Sequence, residues 1–292
     1  FSEKPLSFFR GLIPLFIQWV DIHVFSLAQR DDNKTMTLPF DTFHSLHNEV
    51  KKLLRPTVLY VTLTQDDEGL FSMTRLPNIL SFSAGGYGNI PIPLIKGDLT
   101  YQMFHIKTTL DSTSLSGKQN RNTFMTDVGF YGQIRPRLSR SKMLLALQSE
   151  LRKAKLRYIM GQRNDWENAI SQTKFNLAPR GWGRSSYRLV EIIQIGRVPV
   201  YLYDDVPWLP YQGTNISVAS FGISSGIAYK QLTKNIIDMS DKDLFAKLKQ
   251  IQDSRYFYTY QGVMEQITLF FRDPFNHASS QLRCERLPNK AK

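Results

Sequence analysis

The sequence predicts an α/β chain of two Rossmann-like domains whose parallel sheets face each other across a cleft, and three observations carry that expectation. Short apolar, β-branched runs alternate with stretches of helical periodicity, and such alternation builds parallel sheets through right-handed crossovers. Residues 175 to 211 read as a strand, a loop bearing glycine and arginine, a short helix and a second strand. The 292 residues, 42% hydrophobic and 12% aromatic, suffice for two small domains at ~100–200 residues each.

The elements follow in order. Gly11 to Val20 is apolar but interrupted by Pro14 and Gln18, so it reads as a strand or core segment; a membrane span needs ~20 apolar residues. Thr57 to Leu63 alternates β-branched and apolar residues and stops at the acidic turn Gln65-Asp66-Asp67-Glu68-Gly69. Ile79 to Ala84 is a second strand, ended by Gly85-Gly86-Tyr87-Gly88-Asn89. Thr123 to Val128 is a third, leading through Gly129-Phe130-Tyr131-Gly132 into a basic helix. There Met143, Leu144, Leu147, Leu151 and Leu156 recur at helical spacing, so most of the charges of the basic cluster from Arg135 to Arg157 form a solvated face. A boundary is expected between residues 150 and 165, where this helix gives way to Tyr158-Ile159-Met160-Gly161 and a polar stretch. Residues 1–155 then make an amino-terminal domain, 156–275 a carboxyl-terminal nucleotide-binding domain, and 276–292 a surface tail.

Inside the second domain, Phe175 to Ala178 is a strand, and Gly181 and Gly183 in the loop after it let backbone approach a ligand. Ser185 or Ser186 caps the next helix, whose free N–H groups and dipole favour an anion at its start. Gly196 is a natural stop, and Val198 to Tyr203 is a strand buried on both faces. Arg188 and Glu191, three apart, share one face of the helix. Arg180, Arg184 and Arg188 offer fork-shaped donors for a diphosphate, while Glu191 can accept from ribose hydroxyls. Asp241 to Gln252 is a helix capped by Ser240, so Asp241-Lys242-Asp243 is a helix start before it is a metal motif.

The net charge of +12 suits an anionic nucleotide as well as a polyanion. The single Cys284 forms no internal disulfide and no cysteine-rich zinc site, which favours a soluble protein of a reducing, cytoplasmic-type compartment.

Pro179-Arg180-Gly181, Ser186-Tyr187-Arg188, Glu191, Gly196 and Pro199-Val200 together resemble the exostosin-type glycosyltransferases, which carry Pro-Arg-Gly, Ser-x-Arg-x-x-Glu and Gly-x-x-Pro-Val in this order and spacing. Weaker matches extend the resemblance: Tyr60 to Gly69 to the family's strand and acidic turn, Ile90-Pro91-Ile92-Pro93 to its Ile-Pro segment, Tyr256 to Phe271 to its closing helix. It covers about Val58 to Asn276 and implies the two-domain fold called GT-B, with an amino-terminal acceptor side and a last helix, Gln261 to Phe271, returning to the first domain. The activity implied is inverting transfer of a sugar from a UDP-sugar to a saccharide acceptor, giving a β-linkage. Members use glucuronate, galactose, arabinose, N-acetylglucosamine and xylose; a pentose such as xylose suits so short a chain. Members in the secretory pathway carry an amino-terminal anchor and often disulfides, so a Golgi lumen location would require an anchor upstream of Phe1.

Such a transfer needs a base for the acceptor hydroxyl and positive groups for the departing diphosphate. The resemblance assigns the base to Asp67, the first fixed acid of the family's turn, with Asp66 and Glu68 as alternatives. The donor set is Arg180, Gly181, Arg184, Ser185, Ser186, Tyr187, Arg188 and Glu191. Asp204, Asp205, Trp208 and Tyr211 follow the last strand and are candidates for sugar, uracil or acceptor contacts, although a Pro-rich aromatic turn also serves as a packing plug. His23, His44, His47, His105 and His277 are alternative bases, and they form no convincing metal set with any carboxylate or cysteine. No cofactor or metal is therefore expected, and the ligands are a UDP-sugar and a saccharide, with no nucleic acid and no membrane span. Two other readings compete: a nucleotide-dependent oxidoreductase, disfavoured because Ser186 stands where the third glycine belongs, and a non-catalytic polyanion- or glycan-binding module.

Overall fold

A computed structural model describes residues 4–17, 19, 42–66, 76–97, 99, 124–134, 139–181 and 183–273, and the account below concerns these. Nine strands form two parallel sheets among them. The first contains β1 (Ile13–Leu15), β2 (Tyr60–Thr64), β3 (Ile79–Ser83) and β4 (Ile90–Pro91), paired in that order. Helix α1 (Thr42–Leu53) precedes β2.

The second sheet contains β5 (Thr126–Tyr131), β6 (Tyr158–Gly161), β7 (Thr173–Pro179), β8 (Val198–Leu202) and β9 (Ile223–Ser225), in the spatial order β6-β5-β7-β8-β9. Its crossovers are α2 (Ser139–Lys153), α3 (Trp166–Ser171), α4 (Tyr187–Ile195) and α5 (Val218–Phe221). Residues 150 to 165, where a boundary is expected, fall within the run of elements that builds the second sheet. β5 bonds to β6 and β7, and α2 is the crossover between β5 and β6, so the second sheet begins at Thr126. From β5 the chain steps outward to β6 and then back across to β7, which makes the β5–β7 gap a switch point where parallel sheets open a crevice at their carboxyl ends.

β7 and β8 are buried along nearly their whole length, as strands covered on both faces are. α4 stops at Gly196, whose φ of 81° places it in the left-handed region that glycine adopts without strain. Arg197 is 4% exposed; its Nε donates to the Ser171 carbonyl (2.7 Å) and its Nη1 to the Gly196 carbonyl (3.2 Å). One buried guanidinium thus serves the carboxyl ends of α3 and α4, where the helix dipoles favour a cation.

Beyond β9 come α6 (Tyr229–Asp238), α7 (Asp241–Ser254), a 3-10 turn (Arg255–Tyr258) and α8 (Tyr260–Arg272). Ser240 caps α7 as expected, accepting from the Asp243 N–H at 3.1 Å, with Asp241 and Asp243 in the first turn. α8 reaches the first sheet: Phe270 and Phe271 pack on Phe82 of β3, and Phe271 also packs on Phe8 and Phe9. One apolar core therefore runs from Phe9, Val61 and Phe82 to Val200, Leu202 and Ile267. A small second cluster of Trp19, Val50, Tyr60 and Ile79 lies apart from it in the amino-terminal part. No described helix is long and apolar enough to cross a membrane.

Candidate functional site

A cavity of about 570 Å³ opens at the carboxyl ends of β5, β6 and β7, on the switch point. Phe130, Tyr131, Gly132 and Gln133 line it from β5 and the segment after it, and Gln162, Arg163 and Trp166 from the segment after β6. Ser186, Tyr187, Arg188 and Glu191 line it from the start of α4, Arg140 from α2, and Lys96 from the segment after β4.

The start of α4 is built by the loop after β7. The Gly181 N–H donates to the Ser185 carbonyl at 2.8 Å, closing the loop, and Ser186 sits at the N-cap position in extended conformation. Its hydroxyl makes no capping bond, so the expected side-chain cap is not formed, and the Ser185 Oγ is buried without a hydrogen-bond partner. The Arg188 guanidinium carbon lies over the Trp166 ring, 4.3 Å from its centre, with Nη1 3.1 Å from Glu191 Oε2. That approach lacks hydrogen-bond direction, and Nη1 is buried without a hydrogen-bond acceptor. Burial pulls the Arg188 guanidinium below its ordinary value against the opposing charges of Glu191 and Glu167. It likewise pushes the Glu191 carboxyl up, while Arg188 and Lys96 pull it back. A buried pair in which neither charge is fully compensated is suited to a third, polar group entering the cavity.

Arg180 and Arg184 take a different place from Arg188. Arg180 Nη1 lies 3.1 Å from Asp204 Oδ1 and 2.9 Å from Asp205 Oδ1, while its Nε donates to the Gly183 carbonyl at 3.0 Å. Arg184, 7% exposed, donates from Nε to Asp205 Oδ2 at 2.9 Å and from Nη1 to the Gly86 carbonyl at 3.0 Å, lying over the Tyr87 ring. Burial works to raise the Asp205 carboxyl, but the Arg184 hydrogen bond and the Arg180 charge hold it below its ordinary value. The Ser139 hydroxyl donates to Asp204. These four charged residues thus clamp the loops after β7 and β8, and Arg184 ties them to the glycine-rich loop after β3. None of the four lines the cavity.

Trp208 and Tyr211 are also buried. The Trp208 indole donates to the Ser83 carbonyl at 3.2 Å and the Tyr211 hydroxyl to the Phe257 carbonyl at 2.7 Å, so both act as packing plugs. Of the three acids in the turn after β2, Asp66 is described: it is buried, and its N–H donates to Thr64 Oγ1 at 3.1 Å. Asp67 and Glu68 lie outside the described residues, as do Trp182, His23, His105 and His277 and the side chains of His44 and His47. Gln65, the first residue of that turn, donates from Nε2 to the Pro93 carbonyl (3.1 Å) and accepts from the Ile95 N–H (2.9 Å). Its amide therefore ties the acidic turn to the Ile-Pro segment, next to Lys96. Among the described residues no group of three or more His, Cys, Asp or Glu is close enough to hold a metal ion.

Sequence reasoning missed Trp166, Lys96, Gln162 and Arg163, and placed Arg140 on a solvated face although it lines the cavity and lies over the Phe130 ring. The available signal was position: Gln162, Arg163 and Trp166 follow a strand's carboxyl end.

No protein-family model matches the chain, and no curated protein matches it either. Among solved structures it is similar to an alpha-glucosyltransferase in complex with UDP and a 13-mer DNA containing an HMU base, at 11% identity and a TM-score of 0.38, covering 90% of this chain and 84% of that one. It is also similar to a chain of the GtfA/B complex, at 10% identity and a TM-score of 0.37, covering 80% of this chain and 61% of that one.

Proposed function

We propose that this chain transfers a sugar from a UDP-linked donor to a hydroxyl of a saccharide acceptor, with inversion, in the manner of the exostosin-type enzymes its motifs resemble. Support comes from one cavity in which the amino terminus of α4, the Arg188–Glu191 pair and Lys96 meet at the switch point of a parallel sheet. Helix N–H groups and arginine suit a diphosphate, and a carboxylate one turn on suits ribose hydroxyls. Arg188 meets charge that grows on the diphosphate as its bond to the anomeric carbon breaks. The acceptor oxygen forms the new bond to that carbon and its proton passes to a carboxylate of the acidic turn, Asp67 by the resemblance. Arg180 and Arg184 hold the loop that shapes the start of α4, an indirect service to the donor.

A thermal-shift panel of UDP, GDP, CMP and their sugars, with NAD and a polyanion beside them and with and without EDTA, tests the donor. A ligand that binds only the folded state raises stability by about RT ln(1 + [L]/Kd). UDP and its sugars should give the largest shifts, and EDTA should leave them unchanged. In Asp67→Asn the UDP shift should persist while transfer falls ~10²–10⁴-fold. A response to NAD with none to UDP sinks the proposal, and polyanion binding indifferent to UDP favours the non-catalytic module.

A further inference from the structure

We infer that Trp166 is a positioning residue that fixes the Arg188 guanidinium for a nucleotide diphosphate, an inference that rests on the donor reading of the cavity. Trp166 opens α3, and Ala169 and Ile170, three and four residues on, lie on the same helix face and are buried at 5% and 0% exposure. Those two anchor α3 beside α4, β5 and β7, so the indole is held by the sheet rather than by a loop. Next to it the Asp165 carboxylate is held at both oxygens by Arg163, through bonds of 2.7 Å each, which steadies the entry into the helix.

The indole face then does for Arg188 what Glu191 alone cannot. A lone 3.1 Å contact to Glu191 fixes one nitrogen and leaves the guanidinium plane free to turn. The indole face, 4.3 Å below the guanidinium carbon, adds a second point of contact and stabilises the cation without consuming an N–H. Donors in the guanidinium edge stay available in a cavity that both residues line. Pre-orientation of this kind reduces the ordering cost at the moment the diphosphate binds.

The test is a double-mutant cycle of Trp166→Leu and Arg188→Ala, with Trp166→Phe as the conservative variant. Affinities for UDP and for inorganic pyrophosphate are measured by calorimetry and ligand-free stability by urea unfolding. Trp166→Leu should weaken both ligands about five- to tenfold, between the sizes of an exposed and a desolvated cation–π contact. Trp166→Phe should retain most of the affinity. In the Arg188→Ala background Trp166→Leu should cost no further affinity, because its effect passes through the arginine. An equal further loss there, or wild-type affinity in Trp166→Leu, overturns the inference while leaving the donor reading intact. Ligand-free stability should show the same Trp166–Arg188 coupling, and additive losses would also overturn it. If the wild-type protein binds neither UDP nor pyrophosphate, the donor reading fails and the inference with it.

Discussion

Glu191 is 17% exposed and burial pushes its carboxyl up from the ordinary 4.5, so ionising it costs the folded chain something even with Arg188 beside it. The folded-state pKa lies above the unfolded one, so this contribution to stability is fully present below the unfolded value. It is lost as pH rises from about 4.5 through the folded pKa. Glu191→Gln keeps the shape and cannot ionise. The variant should match the wild-type protein in urea unfolding at about pH 4, where both side chains are neutral, and exceed it at about pH 8. Its UDP affinity should fall about tenfold or more, since a charge-assisted hydrogen bond is worth roughly 1.5–3 kcal/mol. A gain in stability paired with a loss in binding marks a residue kept for a ligand. A variant less stable at about pH 8 that binds UDP normally would make the pair a structural one.

At the scale of elements, β7, α4 and β8 were legible because their apolar runs are continuous and punctuated by Pro179 to Gly183 and by Gly196. The edges were harder. Tyr158–Gly161 and Ile223–Ser225 are short outer strands that are only partly buried, so neither shows the run or the alternation that marks a strand. The start of α4 was legible through the spacing of Arg188 and Glu191, but the partners of Arg180 and Arg184 were not. Asp204 and Asp205 follow a neighbouring strand, and only the pairing of β7 with β8 brings the four together. The extent of the second sheet was not legible for the same reason: a helix between two strands looks alike whether its strands share a sheet or not. α8 was legible as a closing helix, and one residue governs how it docks. A Cβ on Gly262 would collide with the Tyr256 carbonyl oxygen and lie 2.6 Å from Phe257 Cα, backbone that cannot rotate away. Gly262→Ala should therefore cost about 1–3 kcal/mol in urea unfolding, the usual range for overpacking. A neutral result would show that the 3-10 turn before α8 yields.

For the whole molecule, the contacts that join the two sheets among the described residues include Arg184 to Gly86, Trp208 to Ser83, Leu99 to Gln194, Tyr260 to Ile95, and the phenylalanines of α8 on β3. The last of these is the apolar part, and Phe271 is central to it, touching Phe8, Phe9, Phe82 and Phe270. Phe271→Ala leaves a cavity there, and such truncations cost ~3–5 kcal/mol. The loss should not be uniform. The second sheet keeps its own core through Leu177, Val190, Ile193 and Val200, whereas the first sheet is small and borrows α8 to cover β3. Native-state hydrogen exchange reads the difference amide by amide, because segments open at their own free energies. In the wild-type protein the amides of β2 and β3 should approach the protection of β7 and β8. In Phe271→Ala the β2 and β3 amides should exchange at a lower opening energy than those of β7 and β8. Protection that falls equally in both sheets would mean that the core is one cooperative unit, with α8 no more than a part of it.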